Sequence, residues 1–218
     1  MNILEITADG SHTIYVPELN EHYHSIHGAI QESLHIFIKN GFEFSNADPI
    51  HIFEVGFGTG LNALLTALKC IETGRMTYYT TIEKYPLEAD VVSLLNYNQF
   101  TGSGSKEIFD RIHKASWGKM ENISGPFHLQ KICDDITSLK LSGTYDLIYF
   151  DAFAPDKQPE LWNSRIFADI ADITSKNGIL VTYTSKGSVR RNLMANGFTI
   201  SRLPGPPGKR HIIRAVKF

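Results

Sequence analysis

Four acidic residues, each at or just past the end of an apolar run, are the residues of this sequence best placed to do chemistry: Glu54, Glu83, Asp134 and Asp151. A carboxylate in such a place accepts hydrogen bonds from hydroxyls or amines and can hold or take a proton. The first belongs to Ile50-His51-Ile52-Phe53-Glu54-Val55-Gly56-Phe57-Gly58-Thr59-Gly60, an apolar strand running into a glycine-rich turn and a helix from near Leu61. Glycines in such a turn let backbone N–H groups approach a ligand that side chains would block. A purely structural strand-to-helix turn is the other meaning of the same letters.

Glu83 ends Thr77-Tyr78-Tyr79-Thr80-Thr81-Ile82-Glu83, 23 residues past Gly60, about where an acid meets ribose hydroxyls in a βαβ nucleotide site. An exposed glutamate before a turn at Pro86 is the alternative. A dinucleotide pyrophosphate asks for G-x-G-x-x-G on a helix N-terminus free of anions. Here Glu54-x-Gly56-x-Gly58-x-Gly60 puts a carboxylate beside the turn, which suits the cationic methionine end of S-adenosylmethionine. Asp134, after Cys133, is placed to accept from the adenine amine, while Asp135 serves equally well as a helix N-cap. Asp151 opens Asp151-Ala152-Phe153-Ala154-Pro155 after a buried strand. An acid and an aromatic there suit an amine methyl acceptor, Asp151 orienting or deprotonating the nitrogen and Phe153 packing on a base. Methyl transfer to nitrogen needs a free lone pair and positioning, and an ion pair alone would hold the amine in its unreactive form.

The elements that must position these residues follow from periodicity. Ile3–Thr7 and Thr13–Val16 read as a hairpin around Asp9-Gly10-Ser11. Residues 20–40 read as a helix whose face carries Ile26, Ala29, Ile30, Ser33, Leu34, Phe37 and Ile38, ended by Asn40-Gly41. From residue 50 strands alternate with helices: strands 50–56, 77–84, 127–133, 145–151, 178–184, 198–203 and 211–217; helices 60–72, 86–97, 160–173 and 186–196. This predicts an α/β, Rossmann-like, mostly parallel seven-stranded sheet covered on both faces. The link from Pro204 to Arg210 is too short for a crossover helix, so the last two strands should form an antiparallel hairpin. The expected division is an N-terminal appendage over 1–44 and a main domain over 45–218, with 98–125 a polar insertion of unread role.

Composition fits a single enzyme-sized core: 218 residues, 42% hydrophobic and 20% charged. No long apolar run or signal-like leader occurs, so no membrane association and a cytoplasmic location are expected. The net charge of −2 excludes general nucleic-acid coating, so any RNA contact must come from a local patch. Cys70 and Cys133 have neither disulfide nor metal spacing. His12, His22, His24, His27 and His35 crowd the N-terminal region without cysteine or clustered carboxylate partners, so no metal is expected.

Several segments resemble one family in consecutive order: Glu21-His22-Tyr23-His24-Ser25, Gly28-Ala29, Glu32-Ser33, Glu54 through Asn62, and Glu83-Lys84-Tyr85-Pro86-Leu87. Asp151 through Trp162, Thr182 through Arg191 and Gly208-Lys209-Arg210 continue it. The family is the methyltransferase component of MnmC-type tRNA wobble-uridine modification enzymes. The resemblance implies a class I S-adenosylmethionine-dependent fold and methylation of the aminomethyl group of 5-aminomethyl-2-thiouridine at the tRNA wobble position. It carries cofactor roles onto Glu54, Gly56, Phe57, Gly58, Gly60, Asn62, Glu83, Lys84, Asp134 and Asp151, and the catalytic role onto Asp151. Phe153 becomes a base contact. Many relatives carry a flavin-dependent domain that is not expected in this sequence, so flavin is not expected, and either a separate oxidoreductase or other aminomethyl-forming enzymes would act upstream.

Lys157, Lys186, Arg190, Arg191, Lys209 and Arg210 should gather at the cofactor edge, with Lys186, Arg190, Lys209 and Arg210 as the tRNA phosphate contacts. Each is otherwise an ordinary solvated cation. Trp162 is expected to pack its helix onto the sheet, and Tyr23 and His24 to cover the cofactor. A small-molecule, polyamine-type amine methyltransferase remains a second reading, favoured by an acidic pocket without a basic rim. A non-catalytic RNA-binding module is a third, which the four strand-end acids oppose.

Overall fold

The computed structural model describes residues 2–218. Its core is an eight-stranded sheet built from β4 (Ile50–Val55), β5 (Thr77–Glu83), β6 (Met120–Ser124), β7 (Phe127–Cys133), β8 (Tyr145–Phe150), β9 (Thr174–Thr182), β10 (Phe198–Pro204) and β11 (His211–Lys217). The spatial order is β10-β11-β9-β8-β4-β5-β7-β6. The β9-β8-β4-β5-β7 centre is parallel, and β10 and β11 close one edge as an antiparallel hairpin.

Side-chain alternation sorts the central strands onto two apolar layers. Ile50, Ile52, Leu147 and Tyr149 face α2 (Leu61–Thr73) and α4 (Ser105–Lys114). Phe53, Val55, Ile148 and Phe150 face α5 (Ser164–Ile173) and α6 (Gly187–Ala195). The same period puts Glu54 and Asp151 on the α2 side. That placement is what later brings them together.

The eighth strand comes from the stretch expected to be an insertion. Within residues 98–125, α4 buries Phe109 and Ile112 in the first layer, and β6 pairs antiparallel with β7 along the sheet edge. Polar composition hid this strand because it is an edge strand with one buried side chain, Ile123.

The N-terminal hairpin is present as β1 (Ile3–Ile6) and β2 (His12–Val16), and β3 (Glu21–His22) pairs with β2 as a third strand. The helix expected from residue 20 therefore starts only at Ala29, as α1 (Ala29–Ser33), and continues as a π-helix over Leu34–Phe42. Asp9 fixes that start from the hairpin: its carboxylate accepts from Gln31 N at 3.0 Å and from Ser11 N at 3.0 Å. Gly41 does not stop the helix. It lies where the helix crosses the sheet, and a Cβ there would come within 3.1 Å of Tyr149 and Val181.

The helix expected over 86–97 shrinks to α3 (Ala89–Ser93) and a 3₁₀ turn, Tyr97–Gln99. Asn96 explains the break, because its side chain bonds His12 N at 2.8 Å and Gly10 O at 3.0 Å, tying this loop to the hairpin. The helix expected over 160–173 divides into a 3₁₀ turn, Pro159–Trp162, and α5, whose N-cap Asn163 accepts from Ile166 N at 3.1 Å. Among the described residues no helix is long and apolar enough to cross a membrane.

Candidate active site

The carboxyl ends of β4, β5, β7 and β8 open into a cavity of ≈ 860 Å³. That is where ligands bind in open parallel sheets. Gly56, Gly58, Asn62, Glu83, Lys84, Asp134, Asp151 and Phe153 all line it.

One wall is the turn after β4. Gly56 has φ +92°, and a Cβ on it would lie 2.7 Å from the Asp151 carbonyl oxygen, so the two strand ends can meet only at glycine. Glu83 braces the turn: Oε2 accepts from Gly58 N at 3.0 Å and Oε1 from Tyr85 N at 2.9 Å. Each oxygen keeps a lone pair for a further donor, as a ribose diol requires. Asp134 stands exposed beside it and accepts from Asp135 N at 2.6 Å.

Gly60, by contrast, starts α2 and is not part of the lining, while Phe57 lines the cavity with its ring packed against His113 and Trp117. Lys84 is held at 2.8 Å by Asp135, which also accepts from Thr137 N at 2.9 Å and so caps the turn. The hydrogen bond from Lys84, with those from Thr137, holds the Asp135 carboxyl down at about 2.

Glu54 is the most deeply buried of the four acids, 1% exposed, and is not among the residues that line the cavity. Its oxygens accept from Asn62 Nδ2 at 3.1 Å and Thr81 Oγ1 at 2.7 Å. Burial, reinforced by Asp151, pushes its carboxyl up to about 8 despite those bonds. Asn62 Nδ2 also donates to Asp151 Oδ2 at 2.8 Å, so one amide, placed on the first turn of α2, bridges both acids.

Asp151 forms the opposite wall. Burial, then the nearby Glu32 carboxylate, raise it to about 7, against the opposing bond from Asn62 and the charge of Lys209. Phe153 follows at the mouth, with its ring 5.0 Å from that of Tyr23 in an edge-on contact. Tyr23 in turn lies over the glycine turn, since a Cβ on Gly58 would be 2.9 Å from its ring. His24 lines the cavity below, Nε2 2.7 Å from Thr59 Oγ1, and burial drives it down to about 4, leaving it neutral. Trp162 packs under the sheet edge as expected, its indole N–H donating to Phe153 O at 2.7 Å.

The expected phosphate contacts differ in their surroundings. Lys186 is paired with Asp156, and Arg190 is half-buried with Nε unpartnered. Lys209 lies 3.0 Å from Glu32 and inside the cavity, so it is not a free rim cation. Arg191 and Arg210 are exposed.

Sequence reasoning assigned no role to Glu32, Tyr183 or Lys131. Glu32 had a signal, a carboxylate three residues after Ala29 on an otherwise apolar helix face. Lys131 is 1% exposed, donates to His113 O at 2.8 Å, and is pushed down to about 8 by burial. His113 Nε2 lies 3.1 Å from Thr59 O and so props the glycine turn from behind. The crowded histidines have separate partners, such as Glu5 for His22 and Pro204 O for His35. Among the described residues, no group of three His, Cys, Asp or Glu side chains could hold a metal ion.

Residues 106–218 match a family model described as S-adenosyl-L-methionine-dependent methyltransferase. The chain belongs to that family. The methyltransferase is 28% identical over 214 residues to the tRNA 5-methylaminomethyl-2-thiouridine biosynthesis bifunctional protein MnmC of Pseudomonas syringae, covering 91% of this chain and 32% of that protein. Against the protein of the same name from Chromobacterium violaceum the identity is 30%, over 87% of this chain and 31% of the relative. The methyltransferase thus spans about a third of the length of the curated relatives it matches. Its fold matches that of MNMC2 from Aquifex aeolicus with a TM-score of 0.82 and 24% identity, over all of this chain and 70% of that one. Spermidine synthase from Thermotoga maritima shares the fold at a TM-score of 0.57 and 10% identity.

Proposed function

We propose that the protein transfers the methyl group of S-adenosylmethionine to the aminomethyl nitrogen of 5-aminomethyl-2-thiouridine at the wobble position of tRNA, in the cytoplasm. The observation that carries this reading is the facing of two walls across one cavity: the glycine turn with Glu83 and Asp134, and Asp151 with Phe153. The names of the MnmC relatives supply the substrate.

The Gly56–Gly58 backbone, Glu83 and Asp134 would hold the cofactor, which supplies an electrophilic methyl group on sulfonium sulfur. Asp151 serves the acceptor. An alkylammonium has no lone pair, and a carboxyl raised from 3.8 to about 7 takes its proton more readily than an ordinary carboxylate. Asn62 fixes the Asp151 carboxylate by its hydrogen bond at the lining of the cavity. The freed nitrogen lone pair forms the N–C bond as the S–C bond breaks, and the sulfur keeps that electron pair. Tyr23 and Phe153 narrow the mouth and offer ring faces or edges to a pyrimidine.

One observation favours a small cationic amine instead: Glu21, Glu32, Glu88 and Glu160 add to the acids of the lining, and both lining lysines are paired with acids. The deciding experiment incubates the purified chain with labelled S-adenosylmethionine and either tRNA bearing 5-aminomethyl-2-thiouridine or polyamines. The 5-methylaminomethyl nucleoside by mass spectrometry is the expected product. Methylated polyamine with unmodified tRNA would replace this reading by the other. An upstream enzyme that exposes the aminomethyl group, flavin-dependent or not, completes the proposed pathway.

A further inference from the structure

The acceptor wall contains an ion pair that the reaction above does not use. Glu32, on α1, is 8% exposed and lines the cavity together with Asp151. Its Oε2 accepts from Ser25 N at 2.9 Å, and its Oε1 lies 3.0 Å from Lys209 Nζ. Lys209 comes from the loop between β10 and β11, and its ammonium sits 5.0 Å from the centre of the Tyr183 ring. The Tyr183 hydroxyl donates to the carbonyl of Ala152, the residue after Asp151, at 2.9 Å. Three segments distant in sequence therefore converge on the flank of Asp151.

We propose that the Glu32–Lys209 pair is a positioning device for Asp151: it latches the β10–β11 loop onto α1 and balances the charge beside the acceptor carboxyl, setting how readily that carboxyl takes a proton. The proposal rests on Asp151 being the acceptor-side acid of the reading above. The latch has further contacts, because His35 Nε2 donates to Pro204 O at 2.8 Å and Gly208 packs directly against His27.

The charge argument follows from Coulomb's law, which strengthens as solvent is excluded. Glu32 alone would disfavour a second negative charge on Asp151, and Lys209 alone would favour it; the two act on Asp151 in those opposite senses. The other titratable groups facing Asp151 are Glu54 and Tyr79, behind Asn62, and Tyr183 beside the loop. None of them carries a positive charge, so Lys209 is the cation that offsets Glu32 among these groups.

The test is a carbon-13 titration of Asp151 in the full chain labelled at aspartate carboxyls, with the resonance assigned by its loss in Asp151→Asn. Glu32→Gln should move the midpoint to lower pH and Lys209→Met to higher pH, each by at least about half a unit, or about threefold in proton affinity. Lys209→Arg should restore the original midpoint, and the double variant should lie between the singles. Shifts of one sign in both single variants, or none in Lys209→Met while S-adenosylhomocysteine still binds, would overturn the proposal. If Glu32→Gln fails to fold, Lys209→Met and Lys209→Arg still decide it. The acid limb of the methyl-transfer pH profile should move in parallel. A wild-type chain inactive on tRNA would defeat the substrate reading, while the titration still decides the role of the pair.

Discussion

The two walls of the cavity are built differently. The wall proposed to hold the cofactor is local: the turn after β4, Glu83 at the end of β5 and Asp134 after β7 each sit at the end of their own strand, and neighbouring strands bring them together. The wall proposed to serve the acceptor is assembled from afar, with Tyr23 and Glu32 from the N-terminal region, Asp151 and Phe153 after β8, Tyr183 after β9 and Lys209 from the last loop. A wall made of strand ends can be read from strand patterns. A wall made of distant segments exists only once the chain has folded, and its charges can pair in ways that spacing does not reveal.

Three substitutions probe this division, in decreasing order of effect. Asp151→Ala should lower methyl transfer by about 10²–10⁴-fold and leave S-adenosylhomocysteine affinity nearly unchanged in calorimetry. An equal loss of both would make Asp151 part of the cofactor wall and erase the contrast. Glu83→Gln should act in the opposite way. Its new amide would face the N–H groups of Gly58 and Tyr85 and have lost the charge that a ribose diol prefers, so cofactor affinity should fall by about 10–100-fold with kcat little changed. A kcat defect at saturating cofactor would show that the cofactor wall also governs the acceptor.

The smallest effect concerns Glu54, which lies behind both walls. Its carboxyl stands at about 8 in the folded chain against an ordinary 4.5, so the folded state binds the proton more tightly than the unfolded one. Its contribution is therefore full below about pH 4.5 and is lost as pH rises through about 8. Glu54→Gln keeps a neutral partner for Asn62 and Thr81, and thermal melts should show it gaining stability relative to wild type between pH 5 and 8.5. Parallel melting curves across that range would mean that Glu54 does not hold its proton in the folded chain.

Much of the fold was legible because its signals are short-range. Apolar runs gave the central strands, the glycine turn gave the start of α2, and the short Pro204–Arg210 link gave the antiparallel closing hairpin, as found. The edge strand β6 escaped because one buried residue, Ile123, leaves no period to read. The late start of α1 escaped because its first turn is fixed by Asp9, 20 residues before Ala29. The side-chain period of β4 tells which face Glu54 takes, but its burial behind Asn62 is set by the packing of α2 on the sheet.

The sequence by itself determined that four acids stand at strand ends around a glycine turn, and hence a cofactor-binding α/β sheet. Backbone period and turn chemistry act over a few residues, and that range suffices to fix them. Only the tertiary structure decided that Asn62 joins Glu54 to Asp151, that Lys209 turns inward to Glu32, and that Lys186 of the expected basic edge pairs with Asp156. Charges act through space, and which charges become neighbours is set by how the sheet and its helices pack.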